Sequence, residues 1–291
     1  MSYYLERIQR GVDFIESQLD DDVALSAVAR EAGLSQWHFQ RIFKALTGET
    51  LKTYIRSRRL AASLDRLLTT DLRVLDVALL AGFESQEAFA RAFKANFGIS
   101  PLSYRKLGKK SLFLRKPQFD AAYLAQLQKN PSLEPELVDE PRRLLVGMRT
   151  SFFGTGSEKN NFSARLPPLW AEFAPRMAEI PARVPDFGYG VIRQLSEQDE
   201  ELEYHAACAV SALGDVPVGM CAVELPAGRY ARFAHRGPAP ELDRTVSYIY
   251  ATWLAGSGFH HAGGADVEIY GPKYHPTSPD SLIEYAIPLA D

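Results

Sequence analysis

In the stretch SQWHFQRIFKALTG, residues 35–48, Gln36, Trp37, Gln40, Arg41 and Lys44 fall on one side of a 3.6-residue period. Phe39, Ile42 and Phe43 fall on the other side, as the stripe that must bury. An arginine fork can read guanine edges or phosphate, a glutamine amide can read adenine edges or phosphate, and a lysine suits the backbone. That is the chemistry of a nucleic-acid groove. An exposed Trp37 would pack on sugar and backbone or on a thymine methyl; the alternative is burial against a neighbouring helix. Fifty residues later the pattern returns as SQEAFARAFKANFG, Ser85–Gly98, with Ser, Gln, Phe, Arg, Phe, Lys, Ala and Gly repeated in place. Phe89 and Phe93 take the inward stripe, while Gln86, Glu87, Ala90, Arg91 and Lys94 face out. Glu87 would repel phosphate and Ala90 offers a methyl, so this copy is expected to supply orientation and backbone affinity, with Arg91 its best base contact.

The elements that must hold these faces are short helices. Leu5, Ile8, Val12, Ile15 and Leu19 recur at helical spacing until Asp20–Asp22. Leu25–Ala32 stops at Gly33, and Ser35 is placed to cap the next helix. A longer helix runs from about Thr50 to Leu68; the second copy is Val74–Ala81, Gly82 and Ser85–Phe97; a last helix begins near Pro101. Each copy is thus a helix-turn-helix.

Charge divides the chain in the same way. Residues 1–116 carry 19 Lys and Arg against 13 Asp and Glu, and residues 117–291 carry 14 against 23. A basic front and an acidic back suit a polyanion-binding module beside a domain with another task. The two cysteines, Cys208 and Cys221, sit in apolar segments, which fits a reducing cytoplasm and excludes a zinc finger near the basic repeat. With no long apolar run, neither secretion nor a membrane span is expected.

Residues 108–136 are charged, proline-marked and weakly periodic, and read as a linker. Strand-like segments follow at Arg143–Phe153, Phe187–Gln194, Glu203–Ala212, Met220–Phe233, Val267–Tyr270 and Ser281–Leu289. Helical segments interrupt them at about Ser163–Glu179 and Pro240–Ala255. At an offset of 81, Gly147 meets Gly228, Tyr189–Gly190 meets Tyr270–Gly271, and Glu203–Tyr204 meets Glu284–Tyr285. Residues 137–291 therefore read as two pseudo-symmetric strand-helix-strand-strand halves with a cleft between them. The fold class expected is multidomain: an all-α double helix-turn-helix domain, residues 1–107, and an α+β domain.

Trp170, Tyr189, Tyr230, Trp253 and Tyr270 are expected to line that cleft, with Glu284 as its carboxylate on an otherwise apolar strand. Aromatic walls over a carboxylate suit apolar cations or flat amphipathic molecules. Glu203 is the pseudo-symmetric mate of Glu284; the alternative is that both are edge charges in water. Catalysis has little support. No nucleophile elbow is present, neither cysteine has a base beside it in sequence, and His260, His261 and His275 lack a carboxylate at metal-ligand spacing.

The front of the chain resembles the AraC/XylS regulators. The matching residues are Ala29-x-x-Ala32-Gly33-Leu34-Ser35, Phe39-x-Arg41-x-Phe43-Lys44, Tyr54-Ile55-Arg56-x-x-Arg59-Leu60, Phe89-x-Arg91-x-Phe93-Lys94 and Gly98-x-Ser100-Pro101-x-x-Tyr104-Arg105. The back resembles the GyrI-like effector-binding domain, through Glu284-x-x-Ile287-Pro288, and the combination is that of Rob-type regulators. The resemblance implies double-stranded promoter DNA, RNA polymerase and a small-molecule effector as partners, no cofactor and no membrane. It carries the recognition role to Trp37, Gln40, Arg41 and Arg91. Two recognition helices roughly 34 Å apart would let one chain read two groove segments as a monomer. It also implies a cytoplasmic, nucleoid-associated regulator that is not an enzyme; hydrolysis by Glu284 with Tyr285 or Trp170 is the alternative.

Overall fold

The computed structural model describes residues 3–108, 134–196, 200–276 and 278–290. Among the described residues, seven helices form the front: α1 (Tyr3–Ser17), α2 (Leu25–Ala32), α3 (Gln36–Thr47), α4 (Leu51–Thr69), α5 (Val74–Leu80), α6 (Gln86–Phe97) and α7 (Pro101–Leu107). Most of the residue 108–136 linker lies outside the described residues. The two motifs start and stop alike. Gly33 and Gly82 adopt φ of 66° and 76° after the first helix of each, a backbone shape that glycine reaches without Cβ strain. Ser35 and Ser85 then cap α3 and α6, their hydroxyls accepting from the amides of His38 and Ala88 at 3.4 Å and 3.1 Å.

The back is one eight-stranded antiparallel sheet in the order β1-β6-β8-β7-β3-β4-β2-β5. Its strands are β1 (Glu136–Glu140), β2 (Arg143–Phe153), β3 (Gly188–Gln194), β4 (Glu201–Val210), β5 (Cys221–Leu225), β6 (Gly228–Arg236), β7 (Asp266–Tyr270) and β8 (Leu282–Pro288). Helix α8 (Phe162–Phe173) follows β2. After β6, α9 (Leu242–Tyr248) continues through a π-helical turn, Ile249–Trp253, to Gly256. Both halves thus have the expected strand-helix-strand-strand order, β2-α8-β3-β4 and β6-α9-β7-β8, meeting where β3 pairs with β7.

One expectation changes. Met220–Phe233 is not one strand, since the chain turns at Pro226–Ala227 and forms β5 and β6. At the start of the second domain, β1 adds a strand the sequence reading did not mark, paired with β6. β1 precedes β2 yet pairs with β6, and β5 precedes β6 yet pairs with β2, so each half lends its first strand to the other.

Side chains alternate across the sheet. One face carries Val146, Cys208, Tyr204, Phe233, Ile283, Tyr285 and Ile287 and packs against the helices; the same apolar cluster runs on into Leu5, Ile8, Phe39 and Phe43 of the front domain. The other face carries Leu145, Tyr189, Val191, Ala207, Val223, Tyr230, Val267 and Ala286. The second motif has a separate core of Leu60, Leu64, Leu67, Val77, Phe89, Phe93 and Tyr104. Among the described residues, no helix is long and apolar enough to cross a membrane.

Candidate nucleic-acid interface and effector pocket

Helix α3 buries Phe39, Ile42 and Phe43 completely, as its stripe requires. Its opposite face was expected to be open, and it is not. Gln36 and Gln40 are each 4% exposed and Trp37 is 7% exposed. Lys44 donates from Nζ to the Thr155 carbonyl of the other domain, and Gln40 lies against Gly156. Arg41 donates from its guanidinium to the Tyr285 hydroxyl at 2.9 Å and stands 3.8 Å from Asp266 Oδ2. The same guanidinium lies over the rings of Trp37, Tyr250 and Tyr285, at 5.4, 4.7 and 5.6 Å from their centroids. Trp37 is therefore buried at the domain junction in this state, where it stacks on His38.

The rim of this contact is ionic. Lys52 Nζ is 3.2 Å from Glu200, Arg56 is 3.7 Å from Glu158, and the Thr53 hydroxyl donates to Glu158 at 3.1 Å. Arg58 and Arg59 of α4 are committed within the front domain: Arg58 to Glu16, Arg59 to the carbonyls of Leu19 and Asp21. On α6, by contrast, Gln86, Glu87, Arg91 and Lys94 are exposed as expected.

Beneath Arg41 lies a buried polar cluster. Asp266, fully inaccessible, accepts from the hydroxyls of Tyr250 and Tyr285 at 2.7 and 2.6 Å and meets His261 Nε2 at 2.9 Å. Burial pushes this carboxyl up, but the hydrogen bond and charge of His261, the charge of Arg41 and the Tyr285 hydroxyl outweigh it and bring its pKa down to about 2. Burial also disfavours the Arg41 cation, yet Tyr285, Tyr250, Asp266 and Asp243 more than compensate and raise its pKa further. Next along β7 on the same face, Glu268 accepts from Tyr204 and Tyr270, each at 2.6 Å, and the Trp170 indole donates to Tyr204 at 2.9 Å. Burial raises the Glu268 pKa against those hydrogen bonds. Gly190 makes the room: a Cβ there would stand 2.2 Å from the Tyr204 hydroxyl and 2.4 Å from Glu268.

A cavity of about 440 Å³ opens beside this cluster, between the domains, lined by Tyr3, Tyr4, Trp37, His38, Gln194 and His261 among others. His38 holds Ser35 through Nδ1 at 3.2 Å, while its Nε2 is buried without a hydrogen-bond partner. Burial, then the neighbouring His261, keep the His38 pKa well below its ordinary value.

The expected pocket residues divide between the two faces. Trp170 and Tyr270 join the Glu268 cluster, and Trp253 packs on Phe233 and Phe259 on the helix side. Tyr189 and Tyr230 lie on the opposite face. Glu284 shares that face with Tyr189 and Tyr230, paired opposite Ile269 and 4.0 Å from Arg232, on the side of the sheet away from Trp170, Trp253 and Tyr270. Glu203 is likewise on that face, held by Arg149, Arg193 and His205 at 2.9, 2.6 and 2.7 Å. Two buried acids on the helix-facing side of the sheet, Asp266 and Glu268, were missed. Their signal was two acids two apart in the strand-like run DVEIY, hence on one face of a strand whose other positions are apolar. A second correction concerns Cys221: strand pairing brings His205 Nδ1 to 3.6 Å from its sulfur. Burial pushes the thiol up, away from a reactive thiolate.

The first half matches a family described as a helix-turn-helix domain over residues 28–107, and the second the GyrI-like small molecule binding domain over residues 133–290. The chain is 31% identical to the right origin-binding protein of Escherichia coli (strain K12), over 89% of this chain and 88% of that protein. It is 30% identical to the transcriptional regulator Rob of Salmonella typhimurium over 95% of each. The chain belongs to the Rob-like AraC-type regulators with a GyrI-like domain. This regulator's sheet domain is also similar to SAV2435, solved bound to tetraphenylphosphonium, at 15% identity, a TM-score of 0.45, and coverage of 54% of this chain and 94% of that one. It is a DNA-binding transcriptional regulator with a small-molecule domain, and its relatives carry the names of regulators rather than of enzymes.

Proposed function

We propose that this regulator reads a defined promoter as a single chain, using Trp37, Gln40, Arg41 and Lys44 of α3 and Gln86, Arg91 and Lys94 of α6. The observation that carries this reading is the matched pair of capped helices, each bearing an arginine and a lysine at equal positions on its outward side. We also place the effector at the helix-facing cleft, where Asp266 and Glu268 sit among Trp170, Tyr204, Tyr250, Tyr270 and Tyr285. Buried carboxylates ringed by aromatic side chains favour a small cationic or amphipathic molecule. RNA polymerase is its partner at the promoter, and the regulator works in the cytoplasm on the nucleoid. Hydrolysis is disfavoured by the ion pair that ties Glu284 to Arg232, away from Trp170, and by the protonated Cys221 thiol.

Selection of bound fragments from genomic DNA by the full chain tests the first part. The reading requires enrichment of a few sites, and native mass measurement of one chain per duplex. Uniform recovery of all fragments would reduce it to non-specific binding. For the second part, binding of tetraphenylphosphonium is measured by fluorescence titration. Glu268→Gln is expected to weaken it, and Glu284→Gln to leave it unchanged.

A further inference from the structure

We propose that Asp266, Tyr250 and Tyr285 form a guanidinium pocket whose resident occupant is Arg41 of the chain itself, so that pocket occupancy by Arg41 and DNA reading by α3 exclude each other. The inference rests on the DNA-binding reading above and adds its regulation and the chemistry that controls it. A guanidinium is planar, always charged and weakly hydrated, so it tolerates a dry aromatic cage better than an ammonium does. Here it meets two ring faces from the C-terminal domain, a hydroxyl acceptor and an ionised carboxylate. The same side chain is the first motif's best candidate for a base contact, and it cannot fill both places.

The surroundings of the cage act in the same sense. Glu158 and Glu200 face Arg56 and Lys52, and the Thr155 carbonyl faces Lys44. The C-terminal domain thus offers acceptors to the cations that would meet phosphates, as an internal substitute for DNA. Only α6 keeps its reading face exposed in this state. A small molecule bearing a guanidinium would compete with Arg41 for Asp266 and so favour the undocked, DNA-competent state by its differential affinity.

The experiment measures affinity of the full chain for a duplex it selects from genomic DNA. Three variants lie outside the DNA-reading face: Tyr285→Phe, which removes the hydroxyl; the pair Glu158→Gln and Glu200→Gln, which removes the rim; and Gly156→Leu. A Cβ at Gly156 would sit 3.3 Å from Gln40 Cβ, so the longer side chain wedges the domains apart from a loop that belongs to neither core. Each is expected to tighten specific binding by about tenfold, as the fraction of competent chains rises. Phenylguanidinium should tighten binding by the unmodified chain and leave Gly156→Leu unaffected; neutral phenylurea should do nothing. Equal affinity for all variants would overturn the exclusion while leaving the DNA-binding reading intact. An equal effect of phenylurea would overturn the guanidinium pocket. Failure of every form to retain a selected duplex would overturn the DNA-binding reading and this inference with it.

Discussion

The two helix-turn-helix motifs repeat one another in sequence and differ in what covers them. Both recognition helices begin at a capping serine and end at a left-handed glycine, and both bury a pair of phenylalanines. Yet α3 is roofed by the sheet domain, and its apolar stripe belongs to a cluster continuous with that domain, whereas α6 packs into a core of its own. Local sequence made the two helices alike. Tertiary contact between distant parts of the chain made one reading face buried and the other open.

The largest expected effect separates the two cores. Phe93→Ala should cost about 3–5 kcal/mol, the usual range for deleting a buried ring, and only in the unit formed by α4 to α7. Phe43→Ala should cost a similar amount, but in a transition that includes the sheet. Hydrogen exchange on α6 and β-strand amides distinguishes the two outcomes. If both substitutions loosened both sets of amides equally, the division into two cores would be wrong.

Next in size is the division of labour on DNA. In the Gly156→Leu background, where the cage no longer withholds α3, Arg41→Ala should lose about 1–3 kcal/mol on the selected site and much less on random duplex, because a forked base contact carries that discrimination. Lys94→Ala should weaken both duplexes alike and lower the slope of log affinity against log salt by about 0.9. Gel shifts at several salt concentrations read both quantities. Equal loss on both duplexes for Arg41→Ala would remove α3 from direct readout.

A smaller effect marks the junction that only the first motif has. His38 is held neutral in the folded state, its pKa well below the ordinary value through burial and His261. Once exposed, it returns toward its usual pKa of about 6.5 and takes up a proton. The open or unfolded form therefore gains protons, and folded stability falls as pH drops below that value. Asp266 opposes no part of this change, since its pKa near 2 keeps it ionised down to strongly acid pH. Lowering pH from 7.5 to 5.5 should cost about 1 kcal/mol in thermal stability, given 1.36 kcal/mol per pKa unit. His38→Gln should flatten the dependence; a slope unchanged by that substitution would place the proton elsewhere.

The helices, the Ser35 cap and the strand-helix-strand-strand order of each half were legible in the sequence because periodicity and turn residues are local, whereas the β5–β6 turn and the pairing of β1 were not. The face of a strand that each residue takes was legible only in part. The offset-81 repeat holds at Tyr204 and Tyr285, which both point to the helix side and bond to carboxylates of β7. It fails at Tyr189 and Tyr270, which lie on opposite faces. A repeat drawn from letters cannot register a slip between strands, and a one-residue slip reverses a side chain's face. The offset holds again at Glu203 and Glu284, which share the other face beside Tyr204 and Tyr285, whereas Asp266 and Glu268 were passed over. The burial of Gln40 and Arg41 had no local signal, because the covering residues stand more than a hundred positions away in sequence.

A last difference compares the two caps. Ser85→Ala removes a single bond to the Ala88 amide and should cost about 1 kcal/mol in the second core, as N-cap losses do. Ser35 makes the equivalent bond to the His38 amide and also meets the His38 ring at 3.2 Å. Removing its hydroxyl leaves the buried imidazole, whose other nitrogen already lacks a partner, with neither nitrogen satisfied. An unmet buried polar group costs about 1–3 kcal/mol, so Ser35→Ala should exceed Ser85→Ala although its amide bond is the longer of the two. Chemical denaturation of each variant measures the difference. Ser35→Ala paired with His38→Phe supplies the control, since the excess should vanish when the ring has no nitrogen to satisfy. An excess that survives in the double variant would assign it to the cap alone, and the asymmetry between the motifs would then reside within α3 rather than at the domain junction.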